Sequence, residues 1–437
     1  MLWLCIQLPR LAAEALGGAG TPEPRQPPPE QAALERLAAW ALQWSSHVHY
    51  RLDAGGAPGL WLELGGSLTL FDGLAALQAR IRAALRPLGY STRLGLAPTP
   101  AGAALLARAG IEAPATTPAL LRERLEPLPL ALLALPQTVL AACESAGIRR
   151  IGALLELPAA AIARRFGPDA SLYLQQLTGL VPEPLPAWRP PARWHARCEF
   201  TGAVDATTAL LFPLQRLLHE FAGYLRATDR AVQRFSLTLE QRARPPARLA
   251  IGLSIPSRDA GQFLRLARER LAGAAPGAPV CALVLAADEF TAPATLQADF
   301  LAPEITATAE LRQLLDRLNA RLGHGAVCHL RVHADHRPER AWRFVPAGDR
   351  AAPGAGRAGA STAPAAWPPR PCWLLPQPQR IAPPPELLSG PERIESGWWD
   401  GADAARDYYS ARDVQGARLW VFRDLRDEGW YLAGLWA

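Results

Sequence analysis

The chain contains no lysine: all 46 of its basic residues are arginine. A Walker-type phosphate loop needs a Lys amine on the nucleotide phosphates and Schiff-base chemistry needs one on a carbonyl, so both are excluded. Methionine occurs only at position 1, and a GC-rich gene accounts for both biases. The six cysteines, Cys5, Cys143, Cys198, Cys281, Cys328 and Cys372, form no C-x-x-C pair and no metal-ligand spacing. They read as small buried hydrophobes in a reducing compartment. No apolar run approaches the roughly twenty residues of a membrane span. The start, Met1-Leu-Trp-Leu-Cys-Ile6, lacks a basic leader, which argues against a signal peptide. No G-x-S-x-G or Cys–His arrangement points to hydrolysis.

What is present is enough for several cores. The 437 residues are 49% hydrophobic and 20% charged, which suits two to four domains. A net charge of +6 favours a polyanionic partner. Apolar spacing predicts strands at 2–8, 60–71 (with Gly65-Gly66 as a turn or bulge) and 91–97, and helices at 31–44, 74–88 and 100–109. Residues 117–186 are helical throughout, broken by Pro and Gly. Within them Gly147-Ile-Arg-Arg-Ile-Gly152 reads either as a helix–hairpin–helix turn presenting amides to a phosphate or as an ordinary helix connection. The Pro-rich stretch 181–193 predicts a linker. A β-α-β-β-α-β-like unit follows over 194–345, with strands near 194–200, 235–240, 247–254, 280–286 and 326–332. Residues 346–391 are Pro/Ala/Gly/Arg-rich and predict a second linker. It holds a formal G-x-G-x-x-G at 354–359 with neither strand before it nor helix after it. Residues 394–437 predict a small antiparallel sheet with turns at Gln415-Gly416 and Glu428-Gly429.

The order of these pieces resembles the Y-family translesion DNA polymerases, and within them the inactive ImuB-type branch. The strings that carry it are Leu8-Pro-Arg-Leu11, Leu62-Glu-Leu-Gly-Gly-Ser-Leu-Thr-Leu-Phe71, Leu94-Gly-Leu-Ala-Pro-Thr-Pro-Ala101, Arg317-Leu-Asn-Ala-Arg-Leu-Gly323, Asp335-His-Arg-Pro-Glu-Arg-Ala-Trp342, Gly397-Trp-Trp-Asp400 and Leu419-Trp-Val-Phe-Arg-Asp424. The resemblance implies an α+β multidomain chain. Its parts would be a palm-like domain (1–116), a helical thumb (117–186), a little-finger α/β sandwich (187–345), the linker (346–391) and an aromatic-rich β module (392–437). Active members hold two metal ions with an Asp on the first strand and an Asp-Glu pair before a later one. Here those positions fall on Gln7 and on Pro58-Gly59, and the family's Lys is absent. Only about twenty residues separate the first strand from the helix at Gln31, so the fingers are largely missing. The expectation is a pseudo-polymerase with no metal and no cofactor. A residual polymerase using Asp53 or Glu63, or an adaptor that no longer touches DNA, are the alternatives.

The resemblance also implies roles for the arginines and the aromatics. Arg149, Arg150, Arg164 and Arg165 in the thumb, and Arg193, Arg197, Arg230, Arg234, Arg242, Arg244 and Arg331 in the little finger, are the expected DNA contacts. Trp398, Trp399, Tyr408, Tyr409, Trp420, Phe422 and Trp430 are the expected partner-docking residues, some of them needed as core. The implied partners are primer-template or damaged DNA, a RecA-like companion of the ImuA type, an error-prone replicative-type polymerase and the sliding clamp. The implied setting is SOS-induced mutagenesis at the nucleoid in a bacterial cytoplasm. Gln313-Leu-Leu-Asp-Arg-Leu318 is the nearest approach to a clamp motif, in a helix core. His329, His333, Asp335 and His336 alternate between strand faces, which argues against a metal site. Asp400, Asp403 and Asp407 predict capping and surface roles, and His47 and His49 structural ones.

Overall fold

The computed structural model of the chain describes residues 1–15, 27–53, 57–242, 244–273, 278–293, 304–323, 325–346 and 369–436. The chain divides into two units, Met1–Gly323 and His324–Ala437.

The first unit begins with β1 (Trp3–Gln7), α1 (Leu11–Glu14), α2 (Pro27–Ala41), β2 (Val48–Arg51), β3 (Gly59–Glu63), α3 (Leu74–Leu85), β4 (Arg93–Ala97) and α4 (Pro100–Ala109). Its sheet runs β2-β3-β1-β4 with every neighbouring pair antiparallel. This is a β-α-β-β-α-β layer. The period of two explains why β1 is apolar at nearly every position. Leu4 and Ile6 enter the core shared with α2 and α3, while Trp3 and Cys5 enter the one shared with α4. Gly95 lets α4 press onto β4, since a Cβ there would lie 2.2 Å from Ala103 O. The strand expected to reach Phe71 stops at Glu63. The Glu63 carboxylate accepts from the amides of Gly65 (2.9 Å) and Gly66 (3.3 Å) and turns the chain into a 3-10 turn at Gly65–Ser67.

Five helices follow: α5 (Pro118–Leu125), α6 (Gln137–Ser145), α7 (Ile151–Leu155), α8 (Ala159–Phe166) and α9 (Pro168–Thr178). Thr99 and Thr117 cap α4 and α5, each followed by Pro in the first helical position. The expected linker 181–193 is pinned instead. His47 Nε2 donates to Leu185 O (2.8 Å), His49 Nδ1 donates to Pro186 O (3.0 Å), and Trp188 N donates to Val48 O (2.8 Å). The composition there is that of a linker, but β2 offers a row of partners that the local sequence does not reveal.

The second sheet layer comprises β5 (Trp194–Val204), α10 (Thr207–Ala227), β6 (Val232–Gln241), β7 (Ala247–Ser257), α11 (Ala260–Ala272), β8 (Val280–Ala287) and α12 (Glu304–Leu322). The element order of the first layer recurs through β8, but the strands run β5-β8-β6-β7, again antiparallel. α10 and α11 cover one face through Leu214, Phe221, Phe263, Leu266 and Leu271. α12 packs against α11 and β7, where buried Asp316 accepts from Ser254 N (2.8 Å) and Gln262 Nε2 (3.3 Å). Of the clamp-like string 313–318, expected in a helix core, only Asp316 is buried; Gln313, Leu314 and Arg317 are exposed.

The back of α10 is buried against the first layer. Arg36 Nε donates to Glu220 Oε2 at 2.7 Å, and Tyr90 Oη donates to Glu220 Oε1 at 2.9 Å. Arg216 donates to Leu88 O (2.8 Å) and to Glu14 O, and lies 4.3 Å over the Tyr90 ring. Gly223 fits under Trp40, where a Cβ would come within 2.3 Å of Cδ1. The two sheet layers are thereby joined by a buried polar network and close packing.

In the second unit β9 (Cys328–Val332) pairs with β10 (Trp342–Pro346). The strand expected at 326–332 therefore stands outside the four-stranded sheet. A five-stranded antiparallel sheet contains β11 (Trp373–Ile381), β12 (Glu386–Ser396), β13 (Ala404–Arg412), β14 (Arg418–Asp424) and β15 (Trp430–Leu435), in the order β11-β15-β14-β13-β12. Its first strand lies within the stretch expected as linker. Pro376 and Pro378 are accommodated because β11 is an edge strand, where a missing N–H leaves no neighbour unpaired. The G-x-G-x-x-G at 354–359 lies outside the described residues.

Candidate nucleic-acid interface

The positions expected from the sequence resemblance to correspond to metal-binding acids, Gln7 and Pro58-Gly59, are neighbours in strand register. Gln7 on β1 is the direct partner of Gly59 on β3, and Leu8 N donates to Pro58 O at 2.9 Å. Gln7 is 2% exposed. Glu63 pairs with Trp3 at the opposite end of the same ladder. Four residues of strand place it about 13 Å away along β3. Its carboxylate also accepts from Leu2 N at 3.0 Å, so it organises the strand end rather than facing Gln7. Asp53 ends the described stretch before 54–56. Among the described residues no group of three His, Cys, Asp or Glu is arranged to hold a metal ion.

The second sheet layer leaves one face open. Inward positions Phe235, Leu237 and Leu239 of β6 alternate with outward Arg234, Ser236, Thr238 and Glu240. On β7 the outward residues are Arg248, Ala250 and Gly252. Register sets Arg197, Val284, Thr238 and Arg248 in one row across the four strands. The face also carries Ala286, Ala250 and Gly252, whose small side chains let a ligand backbone come close, while Ala282 and Ser236 are covered by their neighbours. Arg234, Arg242, Arg244 and Arg248 are exposed and have no ion-pair partner among the described residues; they gather along β6, β7 and their connection. Arg248 was not among the sequence candidates. Its alternation with Leu249 and Ile251 was the available signal.

The remaining candidates separate. Arg197 is engaged by Glu240 (2.8 Å) and Glu199, which holds its guanidinium charged and largely neutralises it. Arg230 donates to Ala192 O (3.2 Å) and lies over Phe290, a structural use. Arg193 is exposed beside β5. Arg149, Arg150, Arg164 and Arg165 are exposed on the helical segment. The glycine turn is real, with Gly147 at φ +81°. However, Gly147 N and Ile148 N donate to Glu144 O and Cys143 O, while Ile151 N and Gly152 N donate to Leu128 O and Glu126 O. Four of the turn's amides are thus used within the fold, which favours the ordinary helix connection of the two readings. Arg331 stands in the second unit.

The aromatic candidates divide by burial. Tyr408, Trp420 and Phe422 are core, not docking residues: Tyr408 stacks on Trp420 at 4.5 Å, and Phe422 stacks on Tyr431 at 5.2 Å. A sheet of this size has few other side chains to bury. Tyr409 and Trp430 pack together at 5.4 Å and are partly covered. Trp398 and Trp399 are 77% and 62% exposed and meet edge to face at 5.5 Å. Their turn is held by Arg337, which is 2% exposed. Its guanidinium donates to both oxygens of Asp400 (3.0 and 2.6 Å), to Asp335 (3.0 and 2.7 Å) and to Ala402 O (2.9 Å). These bonds hold the Asp335 carboxyl at about 2 and push that of Asp400 below the usual carboxylate range. Asp400 is therefore taken up by Arg337, while Asp403 pairs with Arg426 and Asp407 with Arg393 (2.8 Å). Gly397, at φ +92°, is required because a Cβ would lie 2.2 Å from Arg337 Nη1.

No protein-family model matches the chain. Protein ImuB of Caulobacter vibrioides, in strains NA1000 and ATCC 19089, is 30% identical over 438 residues, covering 94% of this chain and 94% of the relative. The crystal structure of DinB from Sulfolobus solfataricus matches 66% of this chain and 98% of its own at 13% identity and a TM-score of 0.33. A DinB-family error-prone DNA polymerase from the same organism gives 12% identity over the same shares and a TM-score of 0.35.

Proposed function

The chain belongs to the ImuB family, and from that premise we propose that it is a non-catalytic, polymerase-shaped accessory protein of DNA damage tolerance. It binds primer-template DNA and brings an error-prone polymerase to it during translesion synthesis and induced mutagenesis. The observation that carries the reading is the Gln7–Gly59 pair: the strand ends converge as a two-metal site requires, but an amide and a glycine stand at the meeting point. DNA is held through the open face of the second sheet by Arg234, Arg242, Arg244 and Arg248, with Arg149, Arg150, Arg164, Arg165 and Arg193 as further phosphate contacts. Exposed Trp398 and Trp399 serve the docking of a protein partner. The RecA-like companion, the replicative-type polymerase and the sliding clamp belong to this reading as partners.

The test is primer extension with magnesium and deoxynucleoside triphosphates, run beside salt-dependent binding to primed DNA. The expected result is binding without extension. Extension abolished by Glu63→Ala or Asp53→Ala would instead establish a residual polymerase. An absence of salt-sensitive binding would leave a protein-only adaptor.

A further inference from the structure

The β9–β10 hairpin sets two arginines against each other with no carboxylate between them. Register places Arg331 directly opposite Arg343. Side chains so paired have Cβ atoms about 5 Å apart, and like charges there repel. Neither guanidinium has an ion-pair partner among the described residues. Most other arginines of the unit differ. Of its twelve described arginines, eight are paired with carboxylates: Arg337, Arg340, Arg370, Arg393, Arg406, Arg412, Arg423 and Arg426. Arg418 lies over the Trp436 ring instead, and Arg380 acts on Asp427. Arg412 and Arg418 also stand directly opposite each other, but Glu386 takes Arg412 and the Trp436 ring takes Arg418. The strand period puts His329 on the same face as Arg331. Leu330, Val332, Trp342 and Phe344 take the opposite face.

We infer that this basic face of the hairpin is a second nucleic-acid contact, in which Arg331 and Arg343 together grip the phosphodiester backbone. The chemistry of the forks favours a phosphate chain over a carboxylate. One guanidinium already satisfies both oxygens of one carboxylate in this unit, as Arg393 does for Asp407 at 2.8 and 2.8 Å. Two forks one strand spacing apart call for an anion richer in acceptors, or for a row of them, and a polynucleotide backbone supplies both. The repulsion across the ladder, unfavourable in the free protein, becomes attraction for the ligand. The inference rests on the DNA-binding reading but assigns the contact to a unit outside the polymerase-like sheets.

The experiment uses the full chain and measures binding to a single-stranded dT oligomer and to a primed duplex between about 50 and 200 mM salt. Arg331→Gln/Arg343→Gln is compared with wild type, with Arg234→Gln/Arg248→Gln, and with Arg412→Gln as a control that removes a paired charge. Loss of two phosphate contacts makes the plot of log K against log salt shallower by about 1.4 on the single strand. The fourfold rise in salt then weakens the hairpin variant about 7-fold less than wild type. Its thermal midpoint is unchanged or raised, because a repulsive pair has been removed. A wild-type slope in the hairpin variant, while the sheet variant loses binding, overturns this inference and leaves the functional reading standing. Weakened binding to hexaglutamate with an unchanged DNA slope also overturns it, in favour of an acidic protein partner. If wild type binds neither DNA, both readings fall.

Discussion

Replacing Glu220 by Leu should open the seam between the two sheet layers of the first unit. Glu220 is fully buried and holds Arg36 at 2.7 Å and Tyr90 at 2.9 Å. The carboxylate keeps Arg36 charged in spite of its burial, and burial together with Glu220 pushes the Tyr90 phenol up. Removing one member of such a pair leaves an uncompensated buried charge, a loss of about 3–5 kcal/mol. The region most affected is α10, whose back faces α2. Native-state hydrogen exchange of the α10 amides should accelerate by about 100-fold or more, at about 1.4 kcal/mol per decade. Arg36→Met combined with Glu220→Leu removes both charges and replaces them with apolar volume. That double variant should recover most of the loss, because the desolvation of both ions is no longer required. A single variant with unchanged exchange in α10, or a double variant as damaged as the single, refutes the account of the seam as a buried ion network.

Three further outcomes are expected. Gly223→Ala should destabilise the first unit by about 1–3 kcal/mol in denaturant titration, because its methyl group collides with Trp40; an unchanged midpoint refutes the close packing. Asp335 and Asp400 have lowered carboxyl values, so their stabilisation of the second unit is complete above the unfolded value of about 4 and is lost as pH falls toward about 2. Near-UV circular dichroism of the Trp398–Trp399 pair should report that loss, and a signal constant from about pH 5 to 2 contradicts it. Arg234→Gln/Arg248→Gln should make the duplex salt slope shallower by about 1.8, while Arg197→Gln, already neutralised by Glu240 and Glu199, should change it far less.

Much of the frame was legible because local rules and tertiary packing agree. β1, α2, α3, β4 and α4 lie where apolar spacing places them, and Thr99-Pro100 and Thr117-Pro118 announce their helices. The strands of the second layer were legible for the same reason, and the turns at Gly416 and Glu428-Gly429 carry a positive φ at Gly416 and Glu428. Misreadings arose where composition and pairing diverge. The stretches 181–193 and 373–381 look like linkers by their prolines, yet each meets a strand that accepts it.

By itself the amino-acid sequence determined the chemistry that is unavailable: no lysine exists, and Gln7, Pro58 and Gly59 cannot supply carboxylates wherever the chain puts them. It also determined the alternation of each strand and hence which side chains share a face. The tertiary structure alone decided which charges are neutralised. Arg36 finds Glu220 across 184 positions and Arg337 finds Asp400 across 63, whereas Arg331 stands opposite Arg343. All are arginines, and nothing in their neighbouring residues announces the partner. Their different fates follow from strand register and helix packing, since Coulomb energy depends on distance in space and on burial, neither of which is written in local sequence.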